Sequence, residues 1–300
     1  MSAHRVIGVD LGGTKIAAAR VDAEGNVSGR HESPTPVASQ DELIEGIVAA
    51  VEPLAADGVD AIGFGIPAVI DRAAGRALGS VNIPLRDVDF DDVMRERFGA
   101  PAFVENDANV AALAEWRLGA GRGASDLVVL TLGTGVGGGI VLGGALYRGI
   151  AELGHVVVVA DGPPCQGNCG GRGHLEAFAS GSAADRAAER LWGGGATAEL
   201  LVARAGGGDA EALAALSQIG HLLGAAIGSF VNVFAPERVI LGGGFGLAAF
   251  DHLEASALEV ARRELVVPDA LDFRLVRAEL GSEAGVVGAG LLALEALREG

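Results

Sequence analysis

Two segments of this 300-residue chain, each an apolar strand followed by a glycine-rich turn, align with one another at a shift of 121 residues. The run Val6–Asp10 leads into a turn that contains Gly12, and the run Leu127–Thr131 leads into a turn that contains Gly133. Shifting the first copy by 121 residues aligns Asp10 with Thr131 and Gly12 with Gly133. The chain therefore reads as two related halves, which restricts the fold to architectures built from a repeated unit.

Strands alternate with helices along the chain, a pattern that indicates an α/β architecture. Apolar runs separated by glycine and Asx turns predict a β-meander at the start of the chain. The following segments continue the alternation: a helix over Asp41–Ala55, a buried strand over Ala61–Ile66, a strand over Ala102–Glu105, a helix over Val110–Trp116 and a strand over Val156–Ala160.

Glycine-rich turns follow three predicted strands, the third being Gly242-Gly243-Gly244 after Arg238–Leu241. Glycine permits positive φ and lets backbone N–H groups approach an anion closely, although a simple hairpin turn uses the same chemistry. The first turn, Asp10-Leu11-Gly12-Gly13-Thr14-Lys15, adds an acid, a hydroxyl and a cation. It has neither the spacing of a P-loop nor a helix after it, as a dinucleotide-binding turn requires.

Charge and hydropathy exclude several classes of protein. Apolar residues make up 50% of the chain, enough to form a core, and the net charge is −17. Because binding to nucleic acid or to an anionic membrane needs clustered Lys and Arg, we expect neither partner. Two uncharged stretches, 127–147 and 216–236, are interrupted by glycines or polar residues and are not expected to span a membrane. A cytoplasmic location is expected, with two reduced cysteines, Cys165 and Cys169.

Seven motifs in a fixed order resemble the ROK family of sugar kinases, most closely its bacterial glucokinases. They are the first phosphate loop Asp10–Lys15, Pro67–Asp71, Glu105–Asn109, the second phosphate loop Gly133–Gly139, Ala151–His155, the cysteine segment Cys165–Glu176, and Pro236–Gly244. The resemblance implies a duplicated, two-domain α/β fold of the hexokinase, actin and Hsp70 type, which is ribonuclease H-like. The internal repeat and the basic, Gly-rich segment Arg117–Gly123 place the domain boundary near residue 118. We therefore expect a small domain at 1–118, joined by a C-terminal helix at 288–300, and a large domain at 119–287.

The resemblance also implies the residues that bind the sugar. Asp107 is the general base for the attacking hydroxyl, and the other predicted ligands of the sugar are Asn106, Glu152, His155 and Glu176. Asp107 follows a predicted strand among turn-forming residues, where a carboxylate can face a cleft. Considered without the resemblance, Asp107 could instead be the N-cap of the next helix.

The nucleotide is expected at the three glycine turns, with Asp10 holding Mg²⁺ through water. Phosphates are assigned to Gly12, Gly13, Thr14 and Lys15 in the first loop and to Gly133, Thr134, Gly135 and Gly137 in the second; the adenosine is assigned to Gly242, Gly243 and Gly244. Polyphosphate is less favoured as a donor, because the first loop reads Gly-Thr-Lys and polyphosphate glucokinases typically have Gly-Thr-Gly.

The cysteine segment departs from the family pattern, which is Cys-x-Cys-x4-Cys. Here the spacing is Cys165-x3-Cys169-x4-His174, so that one cysteine is replaced by histidine. With the motif residue His155, these side chains still provide two nitrogens and two sulfurs, a set that suits one structural Zn²⁺ per chain. The alternatives are buried free thiols and a site with weakened metal affinity. Arg186, within an Ala-rich helical stretch, is expected on a solvated helix face.

These expectations favour an ATP-dependent hexose kinase that converts glucose to glucose 6-phosphate, acting as a homodimer or homotetramer. N-acetylglucosamine, N-acetylmannosamine, mannose and fructose are alternative substrates, because one hydroxyl or acetamido contact can decide the preference. Two other classes remain open. A sugar-responsive ROK transcriptional regulator is disfavoured, because the first phosphate loop begins already at Asp10 and leaves no room before it for an N-terminal helix-turn-helix domain. An actin-like ATP-binding module is disfavoured because Asp107 and Glu176 are present.

Overall fold

A computed structural model describes residues 4–72, 74–80, 83–268 and 271–299. The chain divides into two compact units, one formed by Met1–Gly119 with Glu283–Gly300 and the other by Ala120–Ser282. Strands are β1 Val6–Leu11, β2 Lys15–Val21, β3 Val27–Pro34, β4 Ala61–Ile66, β5 Val69–Asp71, β6 Arg76–Gly79, β7 Arg86–Asp89, β8 Ala102–Asn106, β9 Leu127–Leu132, β10 Val136–Leu142, β11 Ala145–Leu146, β12 Arg238–Gly242 and β13 Arg274–Arg277. Helices are α1 Gln40–Ala55, α2 Phe90–Phe98, α3 Asp107–Leu118, α4 Glu176–Ala179, α5 Gly181–Trp192, α6 Ala198–Gly206, α7 Ala210–Phe234, α8 Gly244–Arg263 and α9 Ala284–Glu299.

The two central sheets have the same topology. The first unit orders its strands β3-β2-β1-β4-β8, and the second orders its strands β11-β10-β9-β12-β13. In each sheet the first strand runs antiparallel to the second and parallel to the strand that returns after a helical connection. The bounds of β9 and β10 are those of β1 and β2 shifted by 121 residues. The internal repeat and the α/β class are thus confirmed.

Helix α9 begins at Ala284, four residues before the start expected for the C-terminal helix, and the expected end at Gly300 lies outside the described residues. This helix lies unusually close to the first sheet. A Cβ placed on Gly63 of β4 would lie 1.8 Å from the carbonyl oxygen of Ala289, and one on Gly8 of β1 would lie 2.1 Å from that of Val286. Only glycine fits at such distances, so the strand glycines allow the helix to pack backbone to backbone.

The second unit uses the same device between its two longest helices. Gly220, Gly224 and Gly228 follow one another at intervals of four on α7, and a Cβ at Gly224 would lie 2.4 Å from the carbonyl oxygen of Ala257 on α8. Among the described helices, α7 is the one long and apolar enough to cross a membrane by length and composition, and 56% of its most apolar stretch is buried inside the protein. Packing in the core accounts for its apolar composition.

The strand expected over Val156–Ala160 is wrong. A single turn of 3₁₀ helix covers Leu153–His155, and the next residues are irregular apart from one isolated bridge between Val157 and His174. The N–H groups of Val158 and Val159 both donate to Gly173 O, so the segment folds around a loop instead of joining a sheet. Its apolar residues resemble a strand in sequence, but no neighbouring strand completes a ladder with them.

The contact of α9 with the sheet generates a prediction about stability. Gly63→Ala places a methyl group within the van der Waals radius of the Ala289 carbonyl, and we expect the free energy of unfolding to fall by about 3 kcal/mol or more. Chemical denaturation measures this change. Gly206→Ala is the matched control, because nothing lies within 4 Å of the added Cβ at the end of α6. Equal stability of the two variants would contradict the close packing.

Candidate active site

Three of the predicted residues lie at the same edge of the first sheet. Strands β1, β4 and β8 are parallel neighbours, with Asp10 opposite Gly65, and Gly65 opposite Glu105. Asn106 ends β8, and Asp107 is the first residue of α3. Ligands of α/β proteins bind at the carboxyl ends of parallel strands, and Asp10, Asn106 and Asp107 all lie at this edge.

Asn106, and not Asp107, caps helix α3. The side-chain oxygen of Asn106 accepts hydrogen bonds from the N–H groups of Ala108 (2.9 Å) and Asn109 (3.3 Å), which would otherwise lack a partner in the first turn. The alternative that Asp107 is the N-cap of this helix is therefore wrong. Asp107 is half-buried, and its Oδ1 accepts from the N–H of Ala108 at 2.8 Å.

The buried carboxylate of Glu105, which was not assigned to the site from the sequence, holds the segment Asn106–Asp107 in place. Glu105 is 3% exposed and accepts two hydrogen bonds from the Arg72 guanidinium, from Nε to Oε2 (2.7 Å) and from Nη2 to Oε1 (2.6 Å). Its Oε1 also accepts from the N–H of Asn106 (2.8 Å) and from Asn109 Nδ2 (3.0 Å). A buried charge is tolerated only when it is paired and hydrogen-bonded, and here the pairing joins β8, the start of α3 and Arg72.

The first phosphate loop is a short turn between β1 and β2. The N–H of Gly12 donates to the carbonyl of Lys15 at 2.8 Å, and Thr35 holds the loop at two points. Thr35 Oγ1 donates to Gly12 O (2.7 Å), and its N–H donates to Thr14 O (3.1 Å). Gly13 and Thr14 are exposed, so their polar groups are accessible to a ligand.

Charged groups surround this loop. Lys15 Nζ lies 3.0 Å from Glu32 Oε1, which also accepts from Arg30 at 2.6 Å. The carboxylate of Asp10 packs against the first turn of α9, where a Cβ on Gly285 would lie 2.4 Å from Asp10 Oδ2. Burial raises the pKa of Asp10, and the positive charges of Lys15 and Arg30 offset part of that effect. A cation bound beside Asp10 would favour its charged form further.

The predicted nucleotide residues of the second unit also meet at the carboxyl edge of a sheet. Gly242 ends β12 opposite Thr131 of β9. Gly243 has φ +77° and precedes α8, and a Cβ there would lie 2.5 Å from Leu132 O. Gly133 O accepts from the N–H of Gly181, the first residue of α5, at 2.6 Å. The second phosphate loop and the turn before α8 are therefore neighbours, and Thr134 and Gly244 are exposed.

The cysteine segment forms a loop that returns to the 3₁₀ turn of Leu153–His155. The N–H of Leu175 donates to Val156 O, and the N–H of Cys165 donates to Gly171 O, both at 2.9 Å. This path brings together one ligand atom from each of four side chains, all within 4.8 Å of one another, belonging to His155, Cys165, Cys169 and His174. Tetrahedral zinc with sulfur and nitrogen ligands requires separations of about 3.3 to 3.8 Å, and Cys169 Sγ lies 3.5 Å from His174 Nδ1.

The donor groups of this quartet fit a zinc ion. His155 Nδ1 is buried and makes no hydrogen bond within the described part of the chain, with Glu152 Oε2 3.4 Å away. Burial is the main cause that raises the pKa of the Cys165 thiol to about 11, and the neighbouring Glu176 and Cys169 raise it by smaller amounts. A bound cation reverses this preference, because a coordinating thiol is deprotonated. The cluster is consistent with a structural metal, whose four protein ligands are complete.

Two further predicted sugar ligands lie beside this cluster. Glu152 is exposed and immediately precedes the turn that carries His155. Glu176 is half-buried, and its Oε2 accepts from the N–H of Val136 in the second phosphate loop at 2.8 Å. In the second unit the structure thus brings Glu152, His155 and Glu176 close to the cysteine segment. Their roles toward a sugar stay predictions.

The duplicated sheets, each with a glycine turn after its first strand, are those of the hexokinase, actin and Hsp70 superfamily. The chain matches the ROK family over residues 6–296 and belongs to this family. It is 35% identical to the glucokinase of Halalkalibacterium halodurans, over 97% of this chain and 96% of that protein. It is 32% identical to the N-acetylmannosamine kinase of Escherichia coli O157:H7, over 96% of this chain and 97% of that protein.

A solved structure of the same family is closely similar. The ROK family glucokinase from Streptomyces griseus, in complex with glucose and AMPPNP, has a TM-score of 0.84 and 34% identity to this chain. The match covers 98% of this chain and 100% of that one.

The buried pair of Arg72 and Glu105 generates a second prediction. Arg72→Met leaves the carboxylate of Glu105 buried without its cation, and we expect the free energy of unfolding to fall by about 3 kcal/mol. Adding Glu105→Gln removes the charge but keeps an acceptor for Asn106 and Asn109, so the double variant should be more stable than Arg72→Met alone.

Chemical denaturation of the three proteins measures this order. Arg95→Met is the control, because Arg95 pairs with Asp91 on the exposed face of α2 and should contribute less than about 1 kcal/mol. A double variant less stable than Arg72→Met would contradict the assignment.

A third prediction concerns the metal. We expect the purified protein to contain about one zinc ion per chain, and Cys169→Ser to lose most of it, because a hydroxyl is a poor substitute for a thiolate ligand. Metal analysis by mass spectrometry measures the content. His252→Ala, a histidine outside the quartet, should keep its zinc. Full zinc occupancy in a Cys165→Ser/Cys169→Ser variant would show that the metal binds elsewhere.

Proposed function

We propose that this protein is an ATP-dependent hexose kinase that phosphorylates glucose at O6. One observation carries the proposal: Asp107 begins α3 at the sheet edge that also holds Asp10, directly after Asn106, whose side chain caps the helix. A carboxylate fixed in this way can accept a proton from a bound hydroxyl, and Asp10 lies at the same edge beside the first phosphate loop. Membership of the ROK family supports the assignment to sugars.

In the proposed reaction, Asp107 acts as the general base. It accepts the proton of the sugar hydroxyl while the oxygen forms a bond to the γ-phosphorus. The bond from that phosphorus to the β–γ bridging oxygen breaks, and ADP leaves with its electron pair. Rates of phosphoryl transfer depend mainly on positioning and electrostatic stabilisation. The network of Glu105 and Arg72 beneath Asn106 supplies that rigidity.

Sugar recognition is assigned to a set of side chains that together donate and accept hydrogen bonds, as hydroxyl groups require. The Nδ2 group of Asn106 can donate to the sugar, because its oxygen is used in capping α3. Glu152, His155 and Glu176 are assigned to further hydroxyls.

Nucleotide binding is assigned to both glycine loops and to the turn Gly242–Gly244. Backbone N–H groups without side-chain obstruction bind phosphate oxygens, and this local arrangement explains how a chain with a net charge of −17 can bind a polyanion. Mg²⁺ would neutralise part of the phosphate charge when bound. Asp10 would hold it through water, and its burial without a bound cation raises its pKa. Lys15 would contribute a positive charge at the first loop.

A structural zinc is assigned to His155, Cys165, Cys169 and His174. It would fix the loop that carries them, and with one nitrogen of His155 occupied by metal the other remains for the sugar. Zinc takes no direct part in the transfer. The proposal also includes a homodimer or homotetramer in the cytoplasm, a compartment in which both cysteines would stay reduced and able to bind the metal.

N-acetylmannosamine is the second candidate substrate. A family relative of nearly equal length carries that name at 32% identity, and a single polar contact can decide between a hydroxyl and an acetamido group. ADP release measured across glucose, mannose, fructose, N-acetylglucosamine and N-acetylmannosamine identifies the substrate.

A fourth prediction tests the base. Asp107→Asn keeps the shape of the side chain but removes the acceptor of the proton, and we expect kcat for the preferred sugar to fall by roughly 10²- to 10⁴-fold. Affinity for ADP should stay unchanged. Asp57→Asn, a substitution of an exposed carboxylate, serves as the control and should retain full activity. An Asp107→Asn enzyme with substantial turnover, or a protein inactive with every sugar of the panel, would refute the proposed function.

A further inference from the structure

The cysteine segment and the start of α5 contact the first four residues of the second phosphate loop, residues 133–136. The carbonyl of Gly133 accepts from Gly181 N (2.6 Å), and the N–H of Val136 donates to Glu176 Oε2 (2.8 Å). Gly135 lies so close that a Cβ would be 2.3 Å from Glu176 Oε2. The contact to Thr134 comes from Gln166, a residue without an assigned role.

Gln166 follows Cys165 and is held in one orientation. Its Nε2 donates to Thr134 O at 2.8 Å and lies 3.3 Å from Ser180 Oγ. Its Oε1 accepts from Arg186 Nη1 at 3.3 Å. Arg186, expected only to face solvent, also donates from Nη2 to Ala177 O at 3.0 Å. Both ends of the Gln166 amide are therefore used, and reversing the amide would break its contacts with Thr134 and Arg186.

The planarity of the peptide group connects this contact to ligand binding. A carbonyl and the N–H of the following residue belong to one rigid plane and point in opposite directions. Fixing the carbonyl of Thr134 therefore fixes the N–H of Gly135, and fixing the carbonyl of Gly133 fixes the N–H of Thr134. These two N–H groups point away from the groups that hold the carbonyls.

We propose that Gln166 is a positioning residue for nucleotide binding, which orients the N–H of Gly135 toward phosphate by holding the carbonyl of Thr134. The inference rests on the proposed function and extends it, because it gives the metal-carrying segment a role on the nucleotide side of the reaction. Cys165 and Gln166 are adjacent, so the fold that gathers the metal ligands also places the amide.

Gln166→Leu tests the inference, because it keeps a side chain of similar volume and removes the three hydrogen bonds of the amide group. Titration calorimetry with ADP and Mg²⁺ should give a dissociation constant about fivefold higher than that of the parent protein, the effect of one hydrogen bond. Zinc content and the KM for the sugar should not change. Arg186→Met removes the hydrogen bonds to the Gln166 oxygen and to Ala177 O but leaves the contact of Gln166 Nε2 with Thr134 O in place, and it should weaken ADP binding by about twofold. Gln218→Leu, on the exposed surface of α7, is the matched control.

The outcomes separate this inference from the proposed function. A parent protein that binds no nucleotide would refute the kinase proposal itself. A parent that binds ADP, together with a Gln166→Leu variant of equal affinity and intact zinc, would overturn the role of Gln166 alone. Loss of zinc from Gln166→Leu along with the weaker binding would also overturn it, because the residue would then act through the metal loop.

Discussion

The approach of helix α9 to the first sheet, backbone against backbone, determines where the groups at the sheet edge lie. Gly8 and Gly63 remove the side chains that would keep the helix at the usual distance, and Gly288 does the same between α9 and Val110 of α3. As a result the first turn of α9 lies over Asp10, where Gly285 leaves room for the carboxylate. The position of Asp10 therefore depends on Gly63, Gly285 and Gly288, which are far from it in sequence, as well as on Gly8.

Burial distinguishes the charged groups that organise the site from those that only surround it. The ion pairs of Lys15, Arg30 and Glu32 are partly exposed, and such pairs contribute little to stability. Glu105 is almost fully buried and would be costly without its cation, which restricts Arg72 to one position. The motif that contains Asn106 and Asp107 thus has an acidic residue at its start for a physical reason. Arg72 neutralises the charge of the Glu105 carboxylate. The same carboxylate accepts a hydrogen bond from the N–H of Asn106 and so orients the backbone of that residue.

The sequence allowed the duplicated strands and the helices α1 and α3 to be predicted, because their signals are local: apolar runs, turn residues and a repeat with a fixed shift. It failed at Val156–Ala160, where an apolar run packs around a loop, and strand identity depends on a partner strand that the run itself does not encode. It also missed Arg72, Thr35 and Gln166. Each acts through a contact with a residue more than 20 positions away, and a single sequence carries no signal for such pairings. Conversely, the replacement of a cysteine by His174 was readable, because ligand chemistry is a property of residue type.

The two phosphate loops follow equivalent strands, but residues from different parts of the chain hold their backbone groups in place. Thr35, at the end of the third strand of the same sheet, holds the carbonyls of the first loop. In the second half the equivalent strand β11 has only two residues, so no corresponding residue is available there. The chain that follows β11 instead continues into the cysteine segment, which supplies Gln166 and Glu176 as the supports. A shortened edge strand is compensated by a folded loop, and that loop needs its own source of rigidity because it contains little regular structure. The two nitrogens and two sulfurs gathered at His155, Cys165, Cys169 and His174 provide a site at which a metal ion can supply it.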